Sequence, residues 1–474
     1  MQTNRSFISK RRCASGPATD KLTALGQFEP ARASLRRALA ISPDFAKAHS
    51  NLLFCLSHDE SITPQALFAE HLAFGDRFEA PWRALRTGHP NSVAPDRALR
   101  VGFVSGDLRN HSVAYFIGPV LAALDRTAMQ VWLYSNHPME DTTTLKLRAL
   151  GHHWRGVAGA SDEALAAQIR ADAIDVLFDL SGHTAHNRLL TFARKPAPVQ
   201  VTWIGYPNTT GLRAMDYVLC DRFNAPYGLY EHHYVEKFAR LPSSGTFEAV
   251  ASAPALSELP AGARGFVTFG SFASAARAGE QVIATWSRVL QAVPGSRLLL
   301  GNVSGAEPAR ELAGRFARQR IAPQRLDFRP HAPLTDYLAL HHEIDIILDT
   351  WPYSGGTTSN HALWMGVPVL TLQGPARAHC QSAAVMGRLG LSDWIATDVD
   401  DFVRLAVRRA SAPAALAQLR AGMRERWHSA PLRQPATVAR GLERAVRWMW
   451  QRWCEGQGPD HFEIGSEGLG AAMR

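Results

Sequence analysis

The residues that could do chemistry form three short polar segments, each directly after a run of apolar residues. The most specific of them, residues 349–369, joins two glycines, Gly355 and Gly356, to two hydroxyl residues, Thr357 and Thr358. Glycine lets a backbone approach a ligand closely, and the free N–H groups at a helix N-terminus attract anions. The pattern predicts a phosphate-binding turn, and a capped turn without a ligand is the alternative.

A second segment, earlier in the chain, carries Asp107, Arg109 and His111. It follows an apolar run that reads as a strand, and open α/β sheets bind ligands at the carboxyl ends of their strands. An imidazole at such a point could accept a proton or hydrogen-bond a sugar. We therefore take His111 and Asp107 as candidate cleft residues, with a loop histidine of neither role as the alternative.

The remaining polar segment places Asp179, His183 and His186 after another apolar run. A carboxylate beside two imidazoles raises the hypothesis of a metal site. Cys220 does not complete such a site, and the sequence contains no CxxC pair. We predict no metal and keep Asp179 and His183 as further residues of the cleft.

Two sets of alternating strands and helices are available to position these segments. The first set has strands at 100–105, 131–134, 174–180 and 199–204, and helices at 113–124 and 164–170. The second set has strands at 267–269, 297–300, 344–348 and 367–372, and helices at 281–293, 307–318 and from residue 360. Such alternation predicts parallel sheets with helices on both faces. The fold class is therefore α/β, with two Rossmann-like lobes and a central cleft.

A helical segment is predicted ahead of the first lobe. Its small and apolar residues are spaced as in the second helix of a tetratricopeptide (TPR) repeat: Gly26, Phe28, Ala31, Leu35, Ala38 and Pro43. Residues 46–53 look like the first helix of a following unit, and 64–82 continue as helix. Because a stable array usually needs at least three units, we predict a remnant of roughly one repeat. An ordinary helical hairpin is the alternative.

These patterns divide the chain into an ordered series of parts. They are an irregular N-terminus at 1–20, a TPR-like remnant with a linker at 21–95, an N-terminal lobe at 96–255, a C-terminal lobe with a terminal helix at 256–457, and a tail at 458–474. The terminal helix, 438–454, is amphipathic and rich in tryptophan. It could pack back across the lobes, and core packing is the role that we expect for its tryptophans.

Composition and charge argue against a nucleic-acid-binding or membrane-spanning protein. The formal net charge is +9 and comes mostly from scattered arginines, which favours anionic partners such as nucleotides, although a solvated surface explains it more simply. No nucleic-acid-binding motif accompanies the charge, so we predict no nucleic-acid partner. No run of about 18 apolar residues is present, so no membrane span is predicted. Five widely spaced cysteines favour the reducing cytoplasm.

Taken in order, the three polar segments resemble the catalytic region of the O-GlcNAc transferase/SPINDLY glycosyltransferases. The similarity covers roughly residues 100–456, with supporting matches at 209–211, 215–217, 240–242, 267–272 and 332–333. The resemblance implies a GT-B fold preceded by TPR helices, a UDP-sugar donor and no essential metal or other cofactor. It also implies transfer, with inversion, to Ser or Thr hydroxyls of proteins.

The resemblance assigns roles to single residues. His111 falls on the active-site histidine of the family, and Asp172 falls on an aspartate proposed as a proton acceptor. Arg277 stands where the family has the lysine that neutralises the departing diphosphate. The donor-binding set carried over from the resemblance is Ala332, Gly355, Gly356, Thr357, Thr358 and His361.

Several positions depart from the pattern of the family. Arg277 keeps the charge of the usual lysine but changes its shape and donor geometry. Ala273 stands in place of an asparagine, and His379 and Cys380 stand in place of a Ser-Arg pair. Gly356 stands where animal members have a histidine and bacterial members often have glycine.

Three functions therefore stay open at the level of sequence. The first is an active protein glycosyltransferase, and the second is a nucleotide-sugar-binding protein that has lost catalysis. The third is a transferase that acts on glycans or small molecules, because a short repeat leaves little surface for gripping a protein. UDP-GlcNAc is the usual donor of the resembled family, whereas plant SPINDLY-type members use GDP-fucose.

Overall fold

The computed structural model describes residues 17–465, in which a helical segment precedes two parallel-sheet lobes. Residues 1–16 of the predicted irregular N-terminus and residues 466–474 of the predicted tail lie outside the described residues. Within the stretch 1–20 that we predict to be irregular, a helix already begins at Pro17. Proline is well tolerated in the first turn of a helix, which the sequence prediction did not use.

The helical segment consists of α1 (Pro17–Ala24), α2 (Phe28–Ile41), α3 (Ala46–Leu56), α4 (Pro64–Phe78) and α5 (Ala80–Arg83). Helix α2 buries Ala31, Leu35 and Ala38, three of the six residues on which the repeat prediction rests, and the repeat itself stays a prediction. The side chain of Thr63 caps α4 by accepting a hydrogen bond from the N–H of Ala66 at 3.2 Å. The helix predicted at 64–82 is divided in two at Glu79.

The N-terminal lobe is a parallel sheet with the strand order β3-β2-β1-β4-β5-β6-β7. Its strands are β1 (Leu99–Ser105), β2 (Met129–Ser135), β3 (His153–Gly156), β4 (Val176–Asp179), β5 (Val199–Thr202), β6 (Tyr217–Asp221) and β7 (Lys237–Leu241). The helices between them are α6 (Ser112–Ala123), α7 (Thr142–Leu150), α8 (Asp162–Ala171) and α9 (Leu189–Ala193). The polar segments at 105–111 and 180–188 follow β1 and β4, so both lie at the carboxyl edge of the sheet.

The C-terminal lobe repeats this plan with the strand order β10-β9-β8-β11-β12-β13. Its strands are β8 (Thr268–Ser271), β9 (Arg297–Leu300), β10 (Leu326–Phe328), β11 (Ile346–Leu348), β12 (Val369–Leu372) and β13 (Ile395–Ala396). Its helices are α10 (Pro260–Arg264), α11 (Glu280–Ala292), α12 (Ala306–Arg318), α13 (Leu334–Ala339), α14 (Thr357–Trp364), α15 (Gln381–Arg388), α16 (Val399–Ala410), α17 (Pro413–Ala421) and α18 (Met423–Ser429). A core around the fully buried Trp286 joins the sheet to its helices.

The end of the described chain returns to the N-terminal lobe. Helix α19 (Pro435–Cys454) buries Leu442 and Trp450 in the core of that lobe, and β14 (Phe462–Glu463) pairs with β7. The sequence division places this helix with the C-terminal lobe and the strand in a tail, and the structure corrects both. The physical reason is that the apolar stripe of α19 packs against α6 and β7 of that lobe.

Candidate active site

The two lobes and the helical segment enclose a cleft of about 650 Å³. Phe54 contributes to its wall from α3, and His111 and residues 203–207 contribute from the N-terminal lobe. Arg277 and residues 356–358 contribute from the C-terminal lobe. Open α/β sheets bind ligands at the carboxyl ends of their strands, so this cleft is the candidate active site.

The predicted phosphate-binding turn lies at the N-terminus of α14, which opens onto the cleft. Gly356, Thr357 and Thr358 line the cleft, while Gly355 is buried beneath them. A Cβ atom at Gly355 would lie 2.3 Å from Oγ of Ser359, so only glycine fits there without rearrangement. The first N–H groups of α14 have no partners within the helix, which suits them to bind an anion.

Buried hydrogen bonds hold this turn from below. Oδ1 of Asp349, just after β11, accepts a hydrogen bond from the N–H of Gly355 at 2.9 Å, and Oδ2 accepts one from the Thr371 hydroxyl at 2.7 Å. Burial raises the pKa of this carboxyl. The hydroxyl of Ser382 donates to the carbonyl oxygen of Gly355 at 2.8 Å. The turn therefore has its shape before any ligand arrives.

Arg277 supplies positive charge beside the turn. It belongs to a short 3₁₀ helix, Ala275–Arg277, that follows β8. Nη1 donates to the carbonyl oxygen of Ser354 at 3.3 Å, and the guanidinium carbon lies 4.6 Å from the ring centre of Tyr353. Burial lowers the pKa of Arg277, while Tyr353 and Asp349 act in the opposite direction. The side chain lines the cleft, where a guanidinium can bind phosphate oxygens.

His111 lies in the cleft wall on the side of the N-terminal lobe. It is the N-cap residue of α6, where its Nδ1 accepts a hydrogen bond from the N–H of Val113 at 3.3 Å. Oδ1 of Asp107, the other residue predicted from this loop, is 3.6 Å from the same nitrogen. Burial lowers the pKa of His111, although Asp107 opposes the shift. The neutral ring can accept a proton or hydrogen-bond a substrate near pH 7.

The structure corrects the role of Asp172 as a proton acceptor. Asp172 follows α8 at the amino end of β4, the edge of the sheet opposite the cleft, and is not part of the cleft wall. Its carboxylate accepts hydrogen bonds from the Tyr134 hydroxyl at 2.8 Å, Nε2 of Gln168 at 3.0 Å and Nε of Arg155 at 2.7 Å. These partners saturate the carboxylate, so Asp172 joins α8 to β2 and β3.

Two further residues predicted for the cleft, Asp179 and His183, lie behind its wall. Burial raises the pKa of Asp179 to about 6, and its carboxylate accepts a hydrogen bond from the N–H of Gly182 at 2.9 Å. His183 contacts the Ser50 hydroxyl at 3.0 Å and the carbonyl oxygen of Thr210 at 2.9 Å. The first residue shapes a loop and the second attaches the helical segment to the lobe, so neither has a polar atom left for a substrate.

His361 and Ala332, both expected to bind the donor, are not among the residues that line the cleft. His361 is buried on α14, with its ring edge-on to those of Tyr115 and Phe247. Burial lowers its pKa to about 4, and its Nε2 finds no hydrogen-bond partner among the described residues. Ala332 directly follows His331, which lines the cleft.

Sequence reasoning missed several residues of the cleft wall. Tyr353 and Phe54 line the cleft with ring centres 6.5 Å apart. Arg388 also lines it and joins the lobes, since its Nε donates to Oδ2 of Asp221 at 2.9 Å. Tyr353 could have been predicted as a cleft residue, because it stands directly before the glycine-containing turn. The sequence around Phe54 and Arg388 gives no such indication, because their contacts come from distant parts of the chain.

Over the described residues we also looked for metal-ligand groups, membrane-spanning helices and disulfide bonds. Between residues 17 and 465, no group of three or more His, Cys, Asp or Glu side chains is arranged to hold a metal ion. None of the helices found in that range combines the length and apolar character needed to cross a bilayer. The cysteines within it, Cys55, Cys220, Cys380 and Cys454, are free thiols.

Comparison with known sequences matches this architecture to one family. A sequence model described as Glycosyl transferase family 41 matches residues 43–248 and 247–440. A SPINDLY protein of Solanum lycopersicum, named a probable UDP-N-acetylglucosamine–peptide N-acetylglucosaminyltransferase, is 37% identical over 436 residues, or 89% of this chain and 46% of that protein. The corresponding Arabidopsis thaliana protein is 35% identical over 434 residues, or 88% of this chain and 46% of that protein.

A solved structure supports the same match. A mutant of the Thermobaculum terrenum O-GlcNAc transferase superposes with a TM-score of 0.87 and 36% identity, covering 92% of this chain and 84% of that one. The predicted GT-B arrangement of two Rossmann-like lobes is confirmed by this superposition. The chain spans about half the length of the curated plant relatives that it matches.

Proposed function

The chain belongs to glycosyl transferase family 41, and on that premise we propose that it transfers a sugar from a nucleotide-sugar donor to Ser or Thr hydroxyls of proteins. The observation that carries the proposal is the predicted phosphate-binding turn at 355–358, with Arg277 beside it in a cleft of about 650 Å³. A cleft of this volume suits a ligand of nucleotide-sugar size. UDP-GlcNAc is the first candidate donor, because the similar proteins are named for GlcNAc transfer.

The proposed reaction is a direct displacement with inversion. The acceptor oxygen attacks the anomeric carbon while the bond from that carbon to the diphosphate oxygen breaks. The N-terminus of α14 and the guanidinium of Arg277 stabilise the negative charge that develops on the leaving diphosphate. These fixed charges take the place of a metal ion, so we propose a metal-independent reaction. Holding both substrates in one cleft supplies much of the remaining rate.

His111 is the side chain that we propose for the acceptor side. Its neutral ring lies in the cleft wall, and burial keeps its pKa below the ordinary value. Because Nδ1 accepts a hydrogen bond from Val113, the neutral ring carries its proton on Nε2 and can orient the acceptor hydroxyl or the sugar by donating a hydrogen bond. To take the proton of the hydroxyl as the new bond forms, Nδ1 would have to exchange its 3.3 Å hydrogen bond with Val113 for one with that hydroxyl. Oδ1 of Asp107 lies 3.6 Å from Nδ1, and its negative charge opposes the lowering of the His111 pKa.

A nucleotide-sugar-binding protein without turnover is the second candidate, and Arg277 is the observation that favours it. Its guanidinium stacks on Tyr353 and donates to the carbonyl oxygen of Ser354, a geometry that a lysine would not share. If the exchange of lysine for arginine limits activity, the variant Arg277→Lys should transfer sugar faster or bind the donor more tightly than the wild type. An absence of any gain would remove the reason for this candidate.

A donor panel tests the proposed function. The purified protein is incubated with UDP-GlcNAc, UDP-glucose and GDP-fucose and with a mixture of acceptor proteins, in buffer containing EDTA. Release of nucleoside diphosphate and calorimetric binding are followed in parallel. The double variant with Thr357→Val and Thr358→Val is the control, since it keeps the side-chain volume and removes both hydroxyls from the turn.

Each result of the panel separates the candidates. Release with one donor, together with labelled protein bands, supports the proposed activity, and release only in the absence of EDTA would contradict metal independence. Binding without release favours the second candidate, and labelled small glycans without labelled proteins favour a different acceptor class. A protein that binds none of the donors would contradict both candidates.

We also propose a reducing, cytoplasmic setting for the protein. The free cysteines include buried Cys220 and Cys380, whose thiol pKa values are raised by burial, so both thiols stay protonated and unreactive. Trapping thiols with an alkylating agent before cell lysis should find these cysteines reduced. Recovery of an intact disulfide would contradict the assignment.

A further inference from the structure

A ring from the helical segment packs against Tyr353, a residue of the cleft wall. His58 follows the end of α3, and its imidazole stacks on the ring of Tyr353, with ring centres 4.0 Å apart and planes 9° apart. The guanidinium carbon of Arg277 lies 4.6 Å from the centre of the same Tyr353 ring. Residues from three distant parts of the chain thus form one stack, His58–Tyr353–Arg277, beside the predicted phosphate-binding turn.

His58 is held firmly in this stack. Its Nδ1 donates to the carbonyl oxygen of Phe54 at 2.9 Å, one turn back along the chain, and the residue is only 7% exposed. The ring of Phe54 packs against the imidazole with centres 4.6 Å apart. Burial, and then the charge of Arg277, lower the pKa of His58 to about 3. The imidazole is therefore neutral near pH 7 and does not repel the guanidinium.

Arg277 depends on the Tyr353 ring for its orientation. Its hydrogen bond to the carbonyl oxygen of Ser354 is 3.3 Å long, beyond the usual range for such a bond. A guanidinium that stacks on an aromatic ring is attracted to it and takes up a fixed plane. A change in the tilt of the Tyr353 ring would therefore move the charge that faces the diphosphate.

The same loop of the helical segment also holds the helix that follows Arg277. The carboxylate of Glu60 accepts hydrogen bonds from the N–H groups of Glu280 at 3.0 Å and Gln281 at 3.2 Å, at the start of α11. A carboxylate at a helix N-terminus is favourable because of the helix dipole. The loop at 57–63 therefore contacts the Arg277 region in two ways, through a ring and through a carboxylate.

We propose that His58 is a positioning residue for Arg277, acting through Tyr353, and that the helical segment is thereby part of the donor diphosphate site. This inference deepens the proposed function and rests on it. Removing the imidazole leaves space into which the Tyr353 ring tilts, and the guanidinium then no longer faces the diphosphate. A ring of similar size in place of His58 keeps the stack intact.

The test compares His58→Ala with His58→Phe by calorimetric titration with UDP and UMP, or with GDP and GMP if the wild type prefers guanine. For His58→Ala we expect UDP to bind about tenfold more weakly, UMP within about twofold of wild type, and an unchanged stoichiometry. His58→Phe should restore UDP binding to within about twofold of wild type. A partly unfolded protein would instead show a lower stoichiometry and equal effects on both nucleotides.

Two further variants complete the test. In an Arg277→Met background, His58→Ala should weaken UDP binding no further, since the group that it positions is already gone. His153→Ala is the matched control, because it removes an imidazole stacked on Trp132 at 3.7 Å, outside the cleft, and should leave UDP binding unchanged. If His58→Ala does not fold, Tyr353→Leu removes the middle of the stack from the other side and should give the same selective loss.

The outcomes distinguish this inference from the proposed function. Unchanged UDP binding in His58→Ala, or equal losses for UDP and UMP at unchanged stoichiometry, would overturn the positioning role and leave the proposed transferase in place. A wild type that binds neither UDP nor GDP would overturn both. Selective loss of UDP binding with rescue by His58→Phe would establish the role.

Discussion

The two sides of the cleft are built differently. On the C-terminal side, the turn before α14 is fixed by buried hydrogen bonds from Asp349 and Ser382, and Arg277 is stacked on a ring. On the N-terminal side, His111 has a 3.3 Å hydrogen bond from Val113 and stands at the start of a loop-to-helix junction. The side that we propose for the donor thus has its turn fixed by buried hydrogen bonds, whereas His111, on the side that we propose for the acceptor, has one longer hydrogen bond.

The largest effect should come from removing the charge on the C-terminal side of the cleft. Arg277→Met should lower kcat by about 1000-fold, because it removes the group that we propose as a donor to the leaving diphosphate. UDP affinity should fall with it, as measured by calorimetry. Arg277→Lys is the control that keeps the charge, and it should retain most of the activity. A loss of less than about tenfold in Arg277→Met would mean that the α14 turn alone stabilises the leaving group.

His111→Ala tests the other side and should have a smaller effect. We expect kcat/KM to fall about 100-fold while UDP affinity stays within about twofold of wild type, because the role proposed for His111 concerns the acceptor and not the diphosphate. Steady-state kinetics and calorimetry measure the two effects separately. If UDP affinity fell as far as in Arg277→Met, the two sides would not be separate in function.

The pH dependence of the wild type sharpens the same comparison. Burial lowers the pKa of His111 from its ordinary 6.5, so the neutral ring persists into mildly acid solution. We expect kcat/KM to be level near neutral pH and to fall as the pH drops through this lowered pKa, since protonation removes the proton acceptor. The acid limb should be absent in His111→Ala. An acid limb of equal shape in both proteins would assign the titration to another group.

Asp172→Asn distinguishes a structural residue from a catalytic one. The carboxylate binds Arg155 and Tyr134 away from the cleft, so its loss should lower the free energy of unfolding by about 2 kcal/mol. Urea denaturation measures this change, and kcat per folded molecule should stay within about twofold of wild type. A large fall in kcat with unchanged stability would return Asp172 to the proton-acceptor role that the sequence suggests.

The smallest expected effect concerns the glycines of the turn. In Gly355→Ala the new methyl group would meet Oγ of Ser359 at 2.3 Å, which should lower the free energy of unfolding by about 1 kcal/mol. In Gly356→Ala the nearest atom is Oε1 of Gln381 at 3.6 Å, so we expect little change. Thermal and urea unfolding compare the two variants. Equal losses would show that the turn is not fixed from below as described.

The lobes could be predicted because their strands are local apolar runs. The strand predicted at 297–300 coincides with β9, and the one at 100–105 differs from β1 by a single residue. Strand β7 was missed because Arg240 interrupts its apolar pattern. In the structure Arg240 is buried and forms an ion pair with Glu231, a partner that the local sequence pattern does not predict.

The residues of the candidate site likewise fall into those that the local sequence predicts and those that it does not. The turn at 355–358 could be predicted, since its glycines and threonines are adjacent in the sequence. Asp172 and His183 were misplaced because their partners, Arg155 and Ser50, determine what they do and come from other elements. The stack of His58 on Tyr353 joins residues almost 300 positions apart, and neither residue type signals it. Contacts between residues so far apart in the sequence become visible only in the folded structure.

The return of α19 to the first lobe makes that lobe discontinuous along the chain. Its core contains Leu442 and Trp450, both fully buried, which come from the far end of the sequence. A fragment cut between the lobes therefore lacks part of its own interior and exposes the apolar face that α19 covers. Expression, fusion or fragment complementation should accordingly use the whole two-lobed region together with α19. A tag fused directly after residue 434 would replace α19 and leave the core of the N-terminal lobe incomplete.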